Sequence, residues 1–117
     1  MRAEDALGRY GEHVAERFLI EAGCVVLARN WRCSVGEIDL VLRDGDTVVI
    51  CEVKTRRGDE YGGPFAAVGP DKVARLRRLA ACWVEAHGPA GDVRFDVVGV
   101  WARPRGAARV EHLRGVA

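Results

Sequence analysis

Lysine is almost missing from this sequence: of 18 basic residues, 16 are Arg, and only Lys54 and Lys72 are Lys. A chain so committed to Arg is expected to keep Lys where something excludes Arg. Lys is a compact ammonium whose pKa falls on burial, whereas Arg is a planar fork that stays charged. Zinc-type cysteine spacing is missing too. Cys24, Cys33, Cys51 and Cys82 form no CxxC pair, and no His lies at finger-like spacing from them, which argues against a zinc finger or ribbon. The first residues, MRAEDALGRYGEH, carry acids early and have no apolar h-region, so a secretory signal is not expected. No apolar run approaches the length of a membrane span. These absences lead to the expectation of a cytoplasmic chain with no membrane contact and with free thiols.

What is present fits one domain. The 117 residues are 49% hydrophobic and 30% charged, enough for one core, and inconsistent with disorder. The net charge of +1 names no partner, but its distribution is uneven. Positive charge gathers at Arg29 and Arg32, Lys54 to Arg57, Arg75 to Arg78 and Arg103 to Arg109. Any one of these clusters is ordinary solvated surface; four of them make a phosphate-bearing ligand more credible.

Periodicity sets the element order. Residues 4–22 read as a helix with Leu7, Gly11, Val14, Phe18 and Ala22 on one stripe, and Gly23 as its C-cap. Gly8 and Gly11 near this stripe point to a close backbone approach to a sheet. Strands are expected at 25–32, 36–43 and 47–54, with Asp44-Gly45 as the hairpin turn. Both faces of 47–54 are apolar, so that strand should be central. Residues 55–65 read as a charged, Gly-rich loop. A second helix runs from Pro70 to His87, with Val73, Leu76, Ala80, Trp83 and Val84 inward. Strands follow at 93–101 and near 109–115. The order α-β-β-β-α-β-β is that of a mixed central sheet flanked by helices, an α/β domain.

The central hairpin, GEIDLVLRDGDTVVICEVKTRR, places Asp39, Glu52 and Lys54 among apolar residues. A two-residue turn pairs Arg43 with Asp46 and sets Asp39 opposite Ile50. Asp39 and Glu52 are then diagonal neighbours on one face, with Cβ atoms ~7 Å apart, and Lys54 joins them. A three-residue turn would put the two acids on opposite faces unless a bulge intervened. Two carboxylates this close cannot both ionise cheaply in a dry core. A divalent cation resolves the conflict, and Mg²⁺ is suited to two carboxylates plus phosphate oxygens. The alternative is a structural ion pair between Lys54 and one carboxylate, which would perturb the same residues.

Other positions carry weaker signals. Lys72, in the first turn of the second helix, is either a phosphate contact or a surface lysine. Asp96, in a strand expected to be buried, is better read as structural, bonded to Arg94 or a turn. Trp31, Trp83 and Trp101 read as core; Trp31, between Arg29 and Arg32, is the one candidate for base stacking.

Asp39 followed by Glu52-Val53-Lys54 at the end of the next strand resembles the PD-(D/E)XK nuclease superfamily. Gly36-Glu37-Ile38-Asp39-Leu40, Glu52-Val53-Lys54-Thr55-Arg56 and Gly11-Glu12 are similar to the YraN-like family of bacterial proteins. So are Lys72, Arg94-Phe95-Asp96 and Glu111-His112. Ile38 stands where the superfamily name has Pro. The resemblance implies a restriction-endonuclease-like fold related to archaeal Holliday-junction resolvases. It implies metal contacts at Asp39, Glu52 and Val53, with Mg²⁺ or Mn²⁺ as the cofactor. Lys54 is then the catalytic lysine and Glu12 an additional acid of the site. Arg56, Arg57, Lys72 and Arg75 are expected to meet nucleic acid, most simply DNA, and the resolvase likeness implies a homodimer. The expected activity is metal-dependent endonucleolytic cleavage of structured or branched DNA. The alternatives are a nucleic-acid-binding module of the same fold with little or no catalysis, and a purely structural domain.

Overall fold

A computed structural model describes residues 3–58, 69–88 and 91–116. Helix α1 (Ala3–Glu21) is followed by β1 (Val25–Cys33), β2 (Gly36–Asp44) and β3 (Thr47–Arg57). Then come helix α2 (Pro70–His87), β4 (Asp92–Ala102) and β5 (Arg109–Leu113). The strands form one sheet in the order β1-β2-β3-β4-β5. All neighbours are antiparallel except β3 and β4, which are parallel. Parallel neighbours need a crossover, and α2 lies on the connection between them. The fold is therefore a mixed α/β domain with a five-stranded sheet and two helices.

Each helix covers its own apolar cluster. Ala15 and Leu19 of α1 meet Leu40, Leu42, Val49, Cys51, Val53, Val98 and Val100. Leu76, Leu79, Ala80 and Trp83 of α2 meet Ile38, Val41, Val48 and Ile50. Successive residues of β3 thus feed opposite clusters, as expected of a central strand. The deepest line of α1 is Gly11, Ala15 and Leu19, while Ala22 is exposed. Leu79 is buried on α2, although the periodicity did not single it out. Gly11 faces the Thr55 side chain so closely that a Cβ there would collide with the hydroxyl. Gly8 has no such neighbour, so the close approach expected of both glycines holds for Gly11 alone.

The hairpin differs from expectation by one residue. Asp44 pairs with Thr47, so the two-residue loop is Gly45-Asp46, with Gly45 at φ 60°. A left-handed first loop residue suits a tight hairpin and favours glycine, which places the loop at Gly45 rather than Asp44. The expected loop at 55–65 also begins late: Thr55 to Arg57 extend β3, held by β4 through Thr55↔Val100, Arg56↔Trp101 and Arg57↔Ala102. Residues 59–65 of that stretch lie outside the described residues. Pro70 opens α2, and Gly88 ends it by donating its N–H to the Val84 carbonyl at 2.7 Å.

Trp83 and Trp101 are buried. Trp31 packs edge to face on Trp83 with ring centroids 5.2 Å apart, so all three tryptophans serve the packing. All four cysteines are free. Among the described residues no helix is long and apolar enough to cross a membrane.

Candidate metal centre at a fork in the sheet

The ladder between β2 and β3 runs from Asp44↔Thr47 to Leu40↔Cys51 and stops. The next residues along are Asp39 and Glu52. Beyond this rung β2 stays with β1 through Trp31↔Ile38 and Arg32↔Glu37. Strand β3 stays with β4 through Glu52↔Val97, Val53↔Val98 and Lys54↔Gly99. Like charges facing each other across a ladder repel, and here the sheet forks at the acids. The expected diagonal contact, with Asp39 opposite Ile50, is corrected accordingly: Val41 pairs with Ile50. Strand alternation breaks at the same place. Ile38 and Val41 both belong to the α2 cluster, and Leu40 and Leu42 to the α1 cluster; a regular pleat cannot place Ile38 and Leu40 on different faces.

The fork leaves Val53 without a strand partner on the β2 side. Its N–H instead donates to Asp39 Oδ2 at 2.8 Å. Asp39 then lies between two hollows. One, of about 260 Å³, is lined by Arg9, Glu12, His13, Glu16, Arg29 and Asn30 under α1. The other is a void of about 10 Å³ lined by Glu37, Glu52, Lys72 and Arg75 under α2, room for one water-sized species.

Acid crowds this point. Burial pushes the Asp39 carboxyl up to about 7, against the pull of the Val53 N–H. Glu12, Glu52 and Glu37 add repulsion in that order. Glu12 of α1, expected only from the resemblance, thus reaches the site. Glu52 is mostly buried and has two different oxygens. Oε1 meets Lys72 Nζ at 2.5 Å and Lys54 Nζ at 3.7 Å. Oε2 is buried with no hydrogen-bond partner. A buried acceptor left bare costs on the order of 1–3 kcal/mol.

Lys72 is therefore not a plain surface lysine: in this structure it is bonded to Glu52. Arg75 stands over Gly36, where φ is 151° and an added Cβ would meet the guanidinium 2.8 Å away. Arg56 donates to the Thr55 carbonyl at 3.0 Å, and Arg57 is exposed at the end of β3. These two arginines lie further along the strand than the acids and Lys54.

Two residues of the site were not singled out from the sequence. Asn30 has φ 48°, a backbone that Asn tolerates better than most side chains. Its amide donates to Glu12 Oε1 at 3.1 Å and to Glu37 Oε1 at 2.7 Å, tying together two acids that act on Asp39. Glu37 is the second. Its place within GEIDL was visible, but only the pairing of β1 with β2 brings it to Asn30.

Among the described residues no group of three or more His, Cys, Asp or Glu side chains converges as a ready-made metal cage. The donor chemistry still fits a hard divalent cation. Mg²⁺ binds through one or two carboxylates and keeps several waters. Glu52 supplies a bare buried oxygen, Asp39 a carboxyl held back from ionising, and the void between them has the size of one small species.

Residues 11–100 match the model of the uncharacterised protein family UPF0102. That span contains every residue of the fork. A UPF0102 protein of Streptomyces griseus subsp. griseus is 59% identical over 99% of this chain and 99% of its own length. One of Streptomyces coelicolor is 60% identical over 100% of this chain and 92% of its own length. A third, of Frankia alni, is 59% identical over 98% and 97%. With the matched span running from the α1 glycine that meets Thr55 to the β4 strand that carries β3, the chain belongs to the UPF0102 family.

Proposed function

We propose that this chain is a metal-dependent endonuclease of the PD-(D/E)XK kind, with a restriction-endonuclease-like core, acting on structured or branched DNA. One observation carries the reading. At the sheet fork a buried Glu52 oxygen has no partner, beside an Asp39 carboxyl held at about 7 by burial and three other acids. A hard cation would answer these oxygens, and Mg²⁺ or Mn²⁺ is what such oxygens accept. Asp39 and Glu52 would hold it with their carboxylates and Val53 with its backbone carbonyl. A divalent cation there supplies charge to neutralise a phosphodiester and to acidify water.

The chain's own groups do the rest. Lys54, on the rim beside Glu52, orients the attacking water or donates to the phosphate oxygens as charge builds on them. Glu12, tied by Asn30, adds negative charge that holds the cation. Arg56, Arg57 and Arg75 line the approach and bind the phosphate backbone, which positions the substrate without reading its bases. Two symmetric cuts in a branched substrate call for two such sites, which a C₂ homodimer supplies.

A cleavage assay on linear, flap and four-way DNA with Mg²⁺ or Mn²⁺ tests this. Cleavage by wild type that disappears in Asp39→Ala is the expected result. The second reading, a binding module of the same fold, draws support from Lys72 on Glu52 and from the lack of a ready-made cage among the described residues. Tight DNA binding with no cutting under either metal would favour it.

A further inference from the structure

The chain's only two lysines end on the same oxygen. Lys54 reaches Glu52 Oε1 from its own strand and Lys72 reaches it from the first turn of α2. The Lys72–Glu52 pair is largely out of water, with side chains 20% and 14% exposed. A buried ion pair is a weak stabilising device, often no better than apolar packing of the same volume. If its purpose were to anchor α2 to the sheet, arginine would do more. An arginine fork can hold both oxygens of a carboxylate, and the chain uses Arg at 16 of its 18 basic positions. Lysine instead neutralises Glu52 through one oxygen and leaves the other bare at a void of one-water size.

We infer that Lys72 is a tethered counter-ion of the site. It occupies Glu52 Oε1 while no divalent cation is bound, gives way when one arrives, and then bonds the substrate phosphate. Its ammonium is compact and swings on a flexible stem, so the exchange needs no movement of α2. Lys54 does not play this part, because it lies 3.7 Å from Glu52 and is more exposed. This inference rests on the metal reading above and goes beyond it by assigning Lys72 to exchange rather than to backbone binding alone.

The test is Mn²⁺ titration calorimetry without nucleic acid on wild type, Lys72→Ala, Lys72→Gln, Lys54→Ala and Asp39→Ala. Each variant is first checked for a cooperative thermal transition, and Lys72→Gln keeps the stem should Lys72→Ala fail to fold. A cation that no longer displaces a charged hydrogen bond should bind both Lys72 variants roughly ten-fold more tightly than wild type. Lys54→Ala should change much less. In a second arm, branched DNA is titrated with and without Mn²⁺. Wild type should gain more affinity from Mn²⁺ than either Lys72 variant, because only wild type has an ammonium to release. A Lys72 that merely props the helix would leave Mn²⁺ affinity unchanged or weaken it. That outcome, with Asp39→Ala still impaired, overturns this inference and leaves the metal reading standing. Wild type that binds no Mn²⁺ overturns both.

Discussion

Two acids set into the sheet of this domain, one buried and one half-buried, have met opposite fates. Asp96 is fully buried in β4, yet both of its oxygens are answered. Arg94 donates to Oδ1 at 2.9 Å and to Oδ2 at 3.0 Å, His112 Nε2 lies 2.7 Å from Oδ2, and the Gly115 N–H donates to Oδ1 at 3.1 Å. Burial alone would raise its pKa, but the bonds from Arg94, His112 and Gly115 outweigh it and hold the carboxyl below its ordinary value. Asp39 receives one N–H, and burial, with three acidic neighbours added, raises its pKa. The first acid is a joint: it ties β5 and the segment after it to β4, and Arg94 extends the tie to Asp44 at 2.9 Å. The second is answered by the Val53 N–H alone among the described residues. A fold that satisfies the fully buried Asp96 can satisfy a half-buried carboxylate, so the deficit at the fork belongs to the site and not to a poor core.

Four changes should break or sharpen this contrast. The largest concerns the joint. Asp96→Ala removes the partner of a half-buried Arg94, and breaking such a pair costs about 3–5 kcal/mol. Urea unfolding should show a large fall in midpoint, whereas Asp39→Ala in the metal-free protein should show none of that size. Equal losses for the two would remove the distinction between joint and site.

Next comes the proposed cleavage. Lys54→Ala should lower it by about 10²-fold or more while Mn²⁺ still binds, since the carboxylates remain. Lys54→Arg should also cut poorly, because a bulky fork replaces a compact donor. If both cut like wild type, the activity comes from elsewhere.

The third change reads pH. Asp39 is held with a raised pKa, so the folded protein keeps a proton that the unfolded chain loses. Between the ordinary carboxylate value and about 7 the metal-free protein therefore loses stability as pH rises. Asp39→Asn keeps an acceptor for the Val53 N–H and carries no charge. It should raise stability above that window, by about 1–2 kcal/mol at this solvent-accessible site, and change little near pH 4. Asp96 has the opposite sign: its contribution is present above the ordinary carboxylate value and lost as pH falls through its lowered one. Denaturation midpoints of Asp39→Asn that match wild type at every pH would contradict the crowding of acids at the fork.

The smallest effect is at the rim. Arg57→Ala should weaken DNA binding a few-fold without regard to sequence and lower the salt slope by roughly 1, as expected for one phosphate contact. The exposed Arg57 has no counterpart in the Asp96 joint, where Arg94 is bonded within the fold. An unchanged salt slope would take Arg57 out of the binding surface.

Much of this was legible in the residues themselves. Alternation and helical spacing are local, so they located all seven elements to within a few residues and marked β3 as central. The placement of acids in apolar strands singled out Asp39, Glu52 and Asp96, and the order of elements singled out a mixed sheet. The scarcity of lysine pointed at Lys54 and Lys72. Tertiary structure alone decided where these meet. The hairpin slid by one residue because Gly45 accepts a left-handed backbone, and that slip set the last rung at Leu40↔Cys51. The fork followed from β2 staying with β1 while β3 stayed with β4, a choice between neighbours that no local pattern encodes. Asn30 met Glu12 and Glu37 only through the approach of α1 to the paired β1 and β2, and Lys72 met Glu52 only through the docking of α2. Local periodicity fixes which way a side chain faces along its own element; partners come from packing between elements far apart in the chain, where the competing choices differ in contacts the sequence does not order.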